Sequence, residues 1–230
     1  MAFILACDTT HGNCTVAIVS DAGQVVGCAT EPQVERQAER LLTLIEEALA
    51  QAGIDYAALE AVAVTTGPGS FTGIRIGLAS ARGIALVLDK PVVGVSSFES
   101  IYWQYRNRKN NSVNGVVAVV MDARRGQVYA QLFDPHGTAV DAPCMLENTA
   151  FFSYLLPHSA GVIIGNAASL FQDGLADHAP GFVMIPDIIM PEAVSIAHVA
   201  YKILIQGKTA DFPAAPLYIR LPDATPSSKK

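Results

Sequence analysis

The sequence predicts an α/β fold in which one βββαβα unit occurs twice. Three observations carry that expectation. Short apolar runs of strand length alternate with longer stretches whose apolar residues recur every three or four positions. The same order of elements returns in the second half. The composition also supplies a core for both copies: the chain has 230 residues, 51% apolar and 16% charged, a size that buries roughly 70% of the unfolded surface. That excludes a disordered chain, and the absence of a Gly-X-Y or heptad run excludes a fibre.

The first copy opens with three strands, Phe3–Cys7, Thr15–Ser20 and Gln24–Thr30, turned at His11-Gly12-Asn13 and Asp21-Ala22-Gly23. The apolar run Ala2–Cys7 has no basic flank and stops at Asp8, so it reads as a strand rather than a signal peptide. A helix follows from about Val34 to Ala52, with Val34, Ala38, Leu41, Leu42, Ile45, Ala48, Leu49 and Ala52 as its apolar stripe and Gly53 as its stop. A strand at Ala61–Thr66, a glycine-rich turn, a helix at about Thr72–Leu88 and a strand at Pro91–Val95 complete the unit.

A shift of 114 residues lays Ala6-Cys7-Asp8 on Val120-Met121-Asp122, Gly12 on Gly126, Gly23 on Gly137 and Val26 on Val140. The three-strand pattern of Phe3–Thr30 thus recurs at Val116–Met145. Ala61–Gly67, a strand running into glycine and then a helix, is echoed at Ala160–Gly165. The intervening helix, about Asn148–Leu156, has half the length of its counterpart. A closing helix places Pro191 in its first turn and runs to about Gln206, ended by Gly207. Two such halves facing each other across a cleft describe the fold shared by actin, sugar kinases and heat-shock chaperone ATPases, which implies no activity by itself. The expected lobes are residues 1–95 with about 190–207, and residues 96–189; residues 208–230 form an extended tail, loose after Ala224.

The net charge of −6 argues against a surface that coats nucleic acid, so contact with RNA is local or supplied by a partner. No apolar stretch approaches the ~20 residues of a membrane span. The four cysteines (Cys7, Cys14, Cys28, Cys144) contain no Cys-x-x-Cys and read as small buried hydrophobes in a reducing cytoplasm. The five histidines are never three to five apart, which leaves no helical metal pair. Ser70 lacks the Gly-x-Ser-x-Gly elbow of a nucleophile.

Three segments carry functional readings. Gly67-Pro68-Gly69-Ser70-Phe71-Thr72-Gly73 joins a strand to a helix capped by Ser70 or Thr72. It could hold an anion on exposed N–H groups, but it matches neither the Walker nor the dinucleotide pattern, and the plainer reading is a turn that needs glycine. The helix behind it has only Arg75 and Arg82 as charges, and its apolar positions spread over nearly two faces. Gly73, Gly77 and Ala81, four apart, would let another helix come close. Burial inside the chain or a packed partner both account for this. Asp8 and Asp122 would meet across the cleft with Thr9, Thr10 and Arg124, either as a nucleotide site or as acceptors for their own turns. Arg124 and Arg125 could counter a phosphate or pair with Asp8. Tyr102-Trp103-Gln104-Tyr105-Arg106-Asn107-Arg108-Lys109 mixes aromatics with cations as RNA contacts do, and equally suits a helix with inward aromatics and C-terminal cations.

The glycine-rich segment, preceded by Ile4-Leu5-Ala6-Cys7-Asp8-Thr9-Thr10 and followed by Met121-Asp122-Ala123-Arg124-Arg125-Gly126-Gln127-Val128-Tyr129 and Pro216-Leu217-Tyr218-Ile219-Arg220, resembles the TsaB (YeaZ) family from Met1 to about Leu221. The resemblance implies a non-catalytic scaffold and activator of the TsaD subunit in forming threonylcarbamoyladenosine in tRNA. It implies a TsaD heterodimer, the TsaE ATPase joining the assembly, and tRNA contacted only through the complex. Under this reading no cofactor or metal is resident, and ATP and magnesium belong to the partner subunits. The implied interface is Leu41, Leu42, Ile45, Gly73, Ile74, Arg75, Gly77, Leu78, Ala81 and Arg82, a surface that could pair two copies when the chain is alone. Ala38, Thr43 and Thr66 depart from the family's usual His, Pro and basic residue, which bears on polar contacts there and not on apolar packing. The group's older label, glycoprotease, fails for want of metal ligands. The alternative is an ATPase or phosphotransferase working in the cleft.

Overall fold

The computed structural model describes residues 2–32, 36–108, 115–187, 190–207 and 214–220. The first unit comprises β1 (Phe3–Asp8), β2 (Cys14–Ser20), β3 (Val25–Glu31), α1 (Gln37–Ala52), β4 (Leu59–Gly67), α2 (Phe71–Leu88) and β5 (Val92–Ser96). After α3 (Ser97–Asn107), the second comprises β6 (Val116–Arg124), β7 (Gln127–Phe133), β8 (Cys144–Glu147), α4 (Phe151–Leu155), β9 (Gly161–Ile164), α5 (Leu175–His178) and β10 (Phe182–Met184). The closing helix is α6 (Ala193–Ile205).

Each unit makes one five-stranded sheet, ordered β3-β2-β1-β4-β5 and β8-β7-β6-β9-β10. In both, the first strand pairs antiparallel with the second and parallel with the fourth, and the fifth extends the sheet parallel to the fourth. The duplication reaches the backbone. Gly12 and Gly126 sit at φ +82° and +74°, Gly23 and Gly137 at +76° and +90°, and Gly67 and Gly165 at +108° and +112°. The turns demand the left-handed conformation at the same places twice, and glycine adopts it without steric cost.

The central strands of both sheets are buried on two faces, so they read as nearly continuous apolar runs. On the first sheet Leu5, Val16, Ile18, Val62 and Val64 meet Leu41, Ile45, Leu49, Ile74 and Leu78 of α1 and α2. The opposite face, Ile4, Ala6, Ala17, Ala61 and Ala63, meets Ala193, Ile196, Ala197 and Ala200 of α6. Small residues on both sides bring helix and sheet close. On the second sheet Phe98, Ile101 and Tyr105 of α3 pack on Val117, Val119 and Met121, and α4 with short turns covers the other face. Thus α3 leaves the first sheet to cover the second, and α6 leaves the second to cover the first. The two crossovers touch: the Ser100 and Ser195 hydroxyls are hydrogen-bonded, and the Trp103 and His198 rings stack at 4.5 Å.

Several expectations shift. The described part of α1 begins at Gln37, and Val34 lies outside the described residues, as do Lys109 and the tail beyond Arg220. No long helix follows β9; Gly174 and Pro180 break that stretch into a 3₁₀ turn at Ala168–Phe171 and the single turn α5. Pro191 precedes α6, whose N-cap position is Glu192. Cys7 and Cys14 are buried, but Cys28 is exposed on the edge strand β3 and Cys144 is half-buried. Burial and the nearby Asp8 charge push the Cys14 thiol up to about 12. Against the expectation from sequence, α2 is long and apolar enough by length and composition to cross a membrane, with a mean hydropathy of 1.4. Its inward face is part of the first core.

Helix α2 carries glycines with opposite roles. A Cβ on Gly73 would stand 1.9 Å from the Thr9 carbonyl oxygen, whereas one on Gly83 meets nothing within 4 Å. Gly73→Ala should cost roughly 1–3 kcal/mol or more through overpacking, and Gly83→Ala should add about 0.5–1 kcal/mol as an ordinary helix replacement. Urea unfolding of the two variants beside the parent checks both signs.

Candidate functional site

The turn from β4 into α2 fixes how the helix sits. Ser70 caps it by accepting from the Gly73 N–H at 3.2 Å, and the Ser70 N–H donates to the Thr10 carbonyl at 2.7 Å. Thr9 Oγ1 donates to the Gly73 carbonyl at 2.7 Å. The glycines at 73 and 77 therefore admit the end of β1, not a helix from another chain: a Cβ on Gly77 would meet Thr9 Oγ1 at 2.9 Å and Val64 at 3.2 Å.

This corrects the interface drawn from sequence. Gly73, Ile74, Gly77, Leu78 and Ala81 face the chain's own core, as do Leu41 and Ile45 of α1. Only Leu42, Arg75 and Arg82 of that set are exposed. The outward face instead contains Phe71, Ala79, Gly83, Leu86 and Val87, with Leu86 and Val87 84% and 85% exposed. The division follows helical spacing, since 74, 78, 81 and 85 fall on one stripe, 75, 79, 82 and 86 on the stripe about 100° round from it, and 83 and 87 on the far side. Inward burial explains only part of the helix's apolarity. The Arg82 guanidinium is bonded to the Ala214 carbonyl rather than free to border a partner.

At the start of α2, the Phe71 and Tyr218 rings stack at 5.2 Å, and the Arg75 guanidinium lies 3.8 Å from the Phe71 ring centre. Arg75 Nε also donates to the Tyr218 hydroxyl at 3.2 Å. Beside them a shallow depression of about 410 Å³ runs between the helices, floored by Ile76 and Ala79 and edged by Ala38 and Ser80. Thr43 is exposed, and the Thr66 hydroxyl donates to the Val95 carbonyl.

The cleft between the lobes is a second candidate, about 510 Å³ in volume. Of the residues expected there, Thr10, Asp122 and Arg124 line it; Asp8 and Thr9 lie behind the lining. The Asp8 carboxylate accepts from the Thr10 N–H at 3.2 Å and the Thr10 hydroxyl at 2.6 Å. In the matching turn, Asp122 accepts from the Arg124 N–H at 2.7 Å. Both carboxylates therefore bond their own turns, one of the two readings held open from the sequence. Arg124 pairs with Asp122 at 3.5 Å, on the other lobe from Asp8. Sequence reasoning missed His11, Gln37, Tyr129, Asn166 and Arg220, which line the cleft as well. The loop position of His11 beside Thr10 was a usable signal; nothing local marked Asn166, which reaches the cleft only because β9 pairs with β6. Among the described residues no three His, Cys, Asp or Glu side chains stand together as a metal site.

Comparison with known proteins bears on both candidates. Residues 25–206 match the family description "TsaD: tRNA N6-adenosine threonylcarbamoyltransferase". The chain is 29% identical over 225 residues to the Escherichia coli "tRNA threonylcarbamoyladenosine biosynthesis protein TsaB", with 94% of each covered. The chain belongs to this family, in its TsaB (YeaZ) group. The solved YeaZ from Pseudomonas aeruginosa shares the fold, with a TM-score of 0.75 at 24% identity over 95% of this chain and 100% of that one. A sugar kinase, the ROK hexokinase of Thermus thermophilus, aligns at a TM-score of 0.55 and 11% identity over 88% of this chain and 99% of its own. The TsaB group thus shares the two-lobed architecture of the sugar kinases, as the duplicated pattern led us to expect.

Two histidines are shifted. Burial pushes His11 below its usual range against the pull of the Asp8 carboxylate, and burial lowers His198 under Trp103. A base held down in the fold stays neutral there and takes up a proton on unfolding. Its contribution to stability is therefore present above about pH 6.5 and lost as pH falls from there toward the folded-state value. Unfolding free energy measured by urea should fall between about pH 7 and pH 5, and the pair His11→Asn with His198→Phe should flatten that slope.

Proposed function

We propose that this chain is an accessory subunit in forming threonylcarbamoyladenosine in tRNA, and that it acts by docking a TsaD subunit on the outward face of α1 and α2. The observation that carries the reading is an 18-residue helix, core on one side, that leaves Leu86 and Val87 in water on the other. An apolar helical face of this kind is costly to expose and suits a helix-packed interface. Phe71, Arg75 and Tyr218 add an aromatic and arginine cluster at one end, the residue types that carry most binding energy in such contacts. The curated relative's name supports the pathway, and the family description supports kinship with the proposed partner. In this reading the chain performs no chemistry itself. The ATP, the magnesium and the TsaE ATPase enter with the rest of the assembly, tRNA is met only there, and the work takes place in the cytoplasm. Two copies pair on the same face when TsaD is absent.

Leu86→Glu with Val87→Glu tests this. Both positions are exposed, so stability should move by no more than about 0.5 kcal/mol, while co-purification with TsaD should weaken by roughly tenfold or more. Normal binding by the double variant removes the docking face. The cleft reading predicts something different: calorimetric uptake of magnesium-ATP by the isolated chain, abolished when Arg124 is replaced by Ala.

A further inference from the structure

The segment 214–220 has neither helix nor strand, yet it is fastened to both lobes in turn. Ala214 is 3% exposed within the core beneath α1 and α2, and its carbonyl receives the Arg82 guanidinium. The Leu217 N–H donates to the Thr66 carbonyl at the end of β4, at 2.8 Å. Tyr218 stacks on Phe71. These anchors all belong to the first lobe. Ile219 then packs against the core between α3 and the second sheet. The Arg220 guanidinium bonds the Gln127 side chain on β7, which donates onward to Glu147 on β8 at 2.7 Å. Seven residues thus pass from the core of one lobe to the edge of the other's, where Ile219 is half-buried, and Arg220 ends in the wall of the cleft between them.

We propose that residues 214–220 are an inter-lobe clasp that fixes how far the cleft opens. The lobes are otherwise joined by the crossovers α3 and α6, whose contact through Ser100, Ser195, Trp103 and His198 has the form of a hinge. A hinge alone leaves the angle between two rigid bodies free over a range; a third tether anchored in both cores removes that freedom. The clasp also walls a cavity of about 680 Å³ together with α3 and α6, so there is unfilled space between hinge and tether into which the lobes can shift once it is released. The outer residue of the clasp, Tyr218, lies on the helix face already assigned to a partner. Cleft width and occupancy of that face are therefore mechanically connected, but the clasp itself does not depend on that assignment.

The experiment uses the full chain alone, with the labelled chain diluted in an excess of unlabelled chain so that only distances within one molecule are read. Spin labels at Ala57→Cys on the first lobe and Thr149→Cys on the second, in a Cys28→Ser, Cys144→Ser background, report the inter-lobe distance by pulsed electron resonance. The parent should give one narrow distance. Ile219→Ala with Arg220→Ala should broaden it and move its mean outward by several ångströms, with the circular-dichroism spectrum unchanged. Arg220→Ala alone, which empties no core position, should broaden it to a smaller degree and guards against a double variant that fails to fold. A narrow, unmoved distribution in Arg220→Ala and in any folded double variant overturns the clasp, even where melting temperature falls, because a purely adhesive strap lowers stability without freeing the lobes.

Discussion

The constraint on which the molecule turns is the contact between the backbone of α2 at Gly73 and the carbonyl of Thr9 at the end of β1. There is no room for even one carbon atom between them. That contact sets the height of α2 over the sheet and, with the Ser70 cap and the Thr9 hydroxyl, its rotation. Once height and rotation are fixed, Ile74, Leu78, Ala81 and Ala85 must enter the core, and Leu86 and Val87 must remain outside it. The outward apolar face is thus a product of how tightly the opposite face is seated. The same turn carries Gly67 and Gly69, beside which the clasp passes and the cleft begins.

The two lobes answer the same topological problem with different amounts of helix. The first sheet has α1 and α2 on its outer side; the second has α4, α5 and turns. Strand order, pairing sense and the left-handed glycines at 12, 23 and 67 all have counterparts in the second copy, and the turns hold the register that decides which side chains face the core. Helix length is free to change, since the outer layer can be thinned without disturbing the sheet. The first lobe accordingly keeps the long, partly bare helix.

The sheets and their repetition were readable in the sequence because strands buried on both faces leave long apolar runs, and because turns at the same offset needed glycine twice. The existence of a helix with too much apolar surface was also readable at Thr72–Leu88. Which of its faces stays outside was not. Glycines four apart fit a partner helix and a sheet edge equally well, and only the position of Thr9, sixty-four residues earlier, decides between them. The cleft was half legible for a related reason. Asp122 and Arg124 lie in the hairpin that repeats the first turn, but Asp8 is drawn inward by the Thr10 hydroxyl, and Asn166 and Arg220 arrive from distant segments. The tail motif Pro216–Arg220 was visible as a pattern without any sign that it joins two cores.

The exchange of α3 and α6 between the sheets has a consequence for how the chain comes to be folded at all. Neither repeat contains the helix that covers its own inner face: the first sheet waits for residues near 200, and the second takes its cover from residues near 100. A ribosome that has delivered only the first hundred residues has made a sheet whose α6 side still lacks its cover. The repetition that the strands record does not divide the molecule into two self-sufficient parts, because each half holds the helix that the other requires.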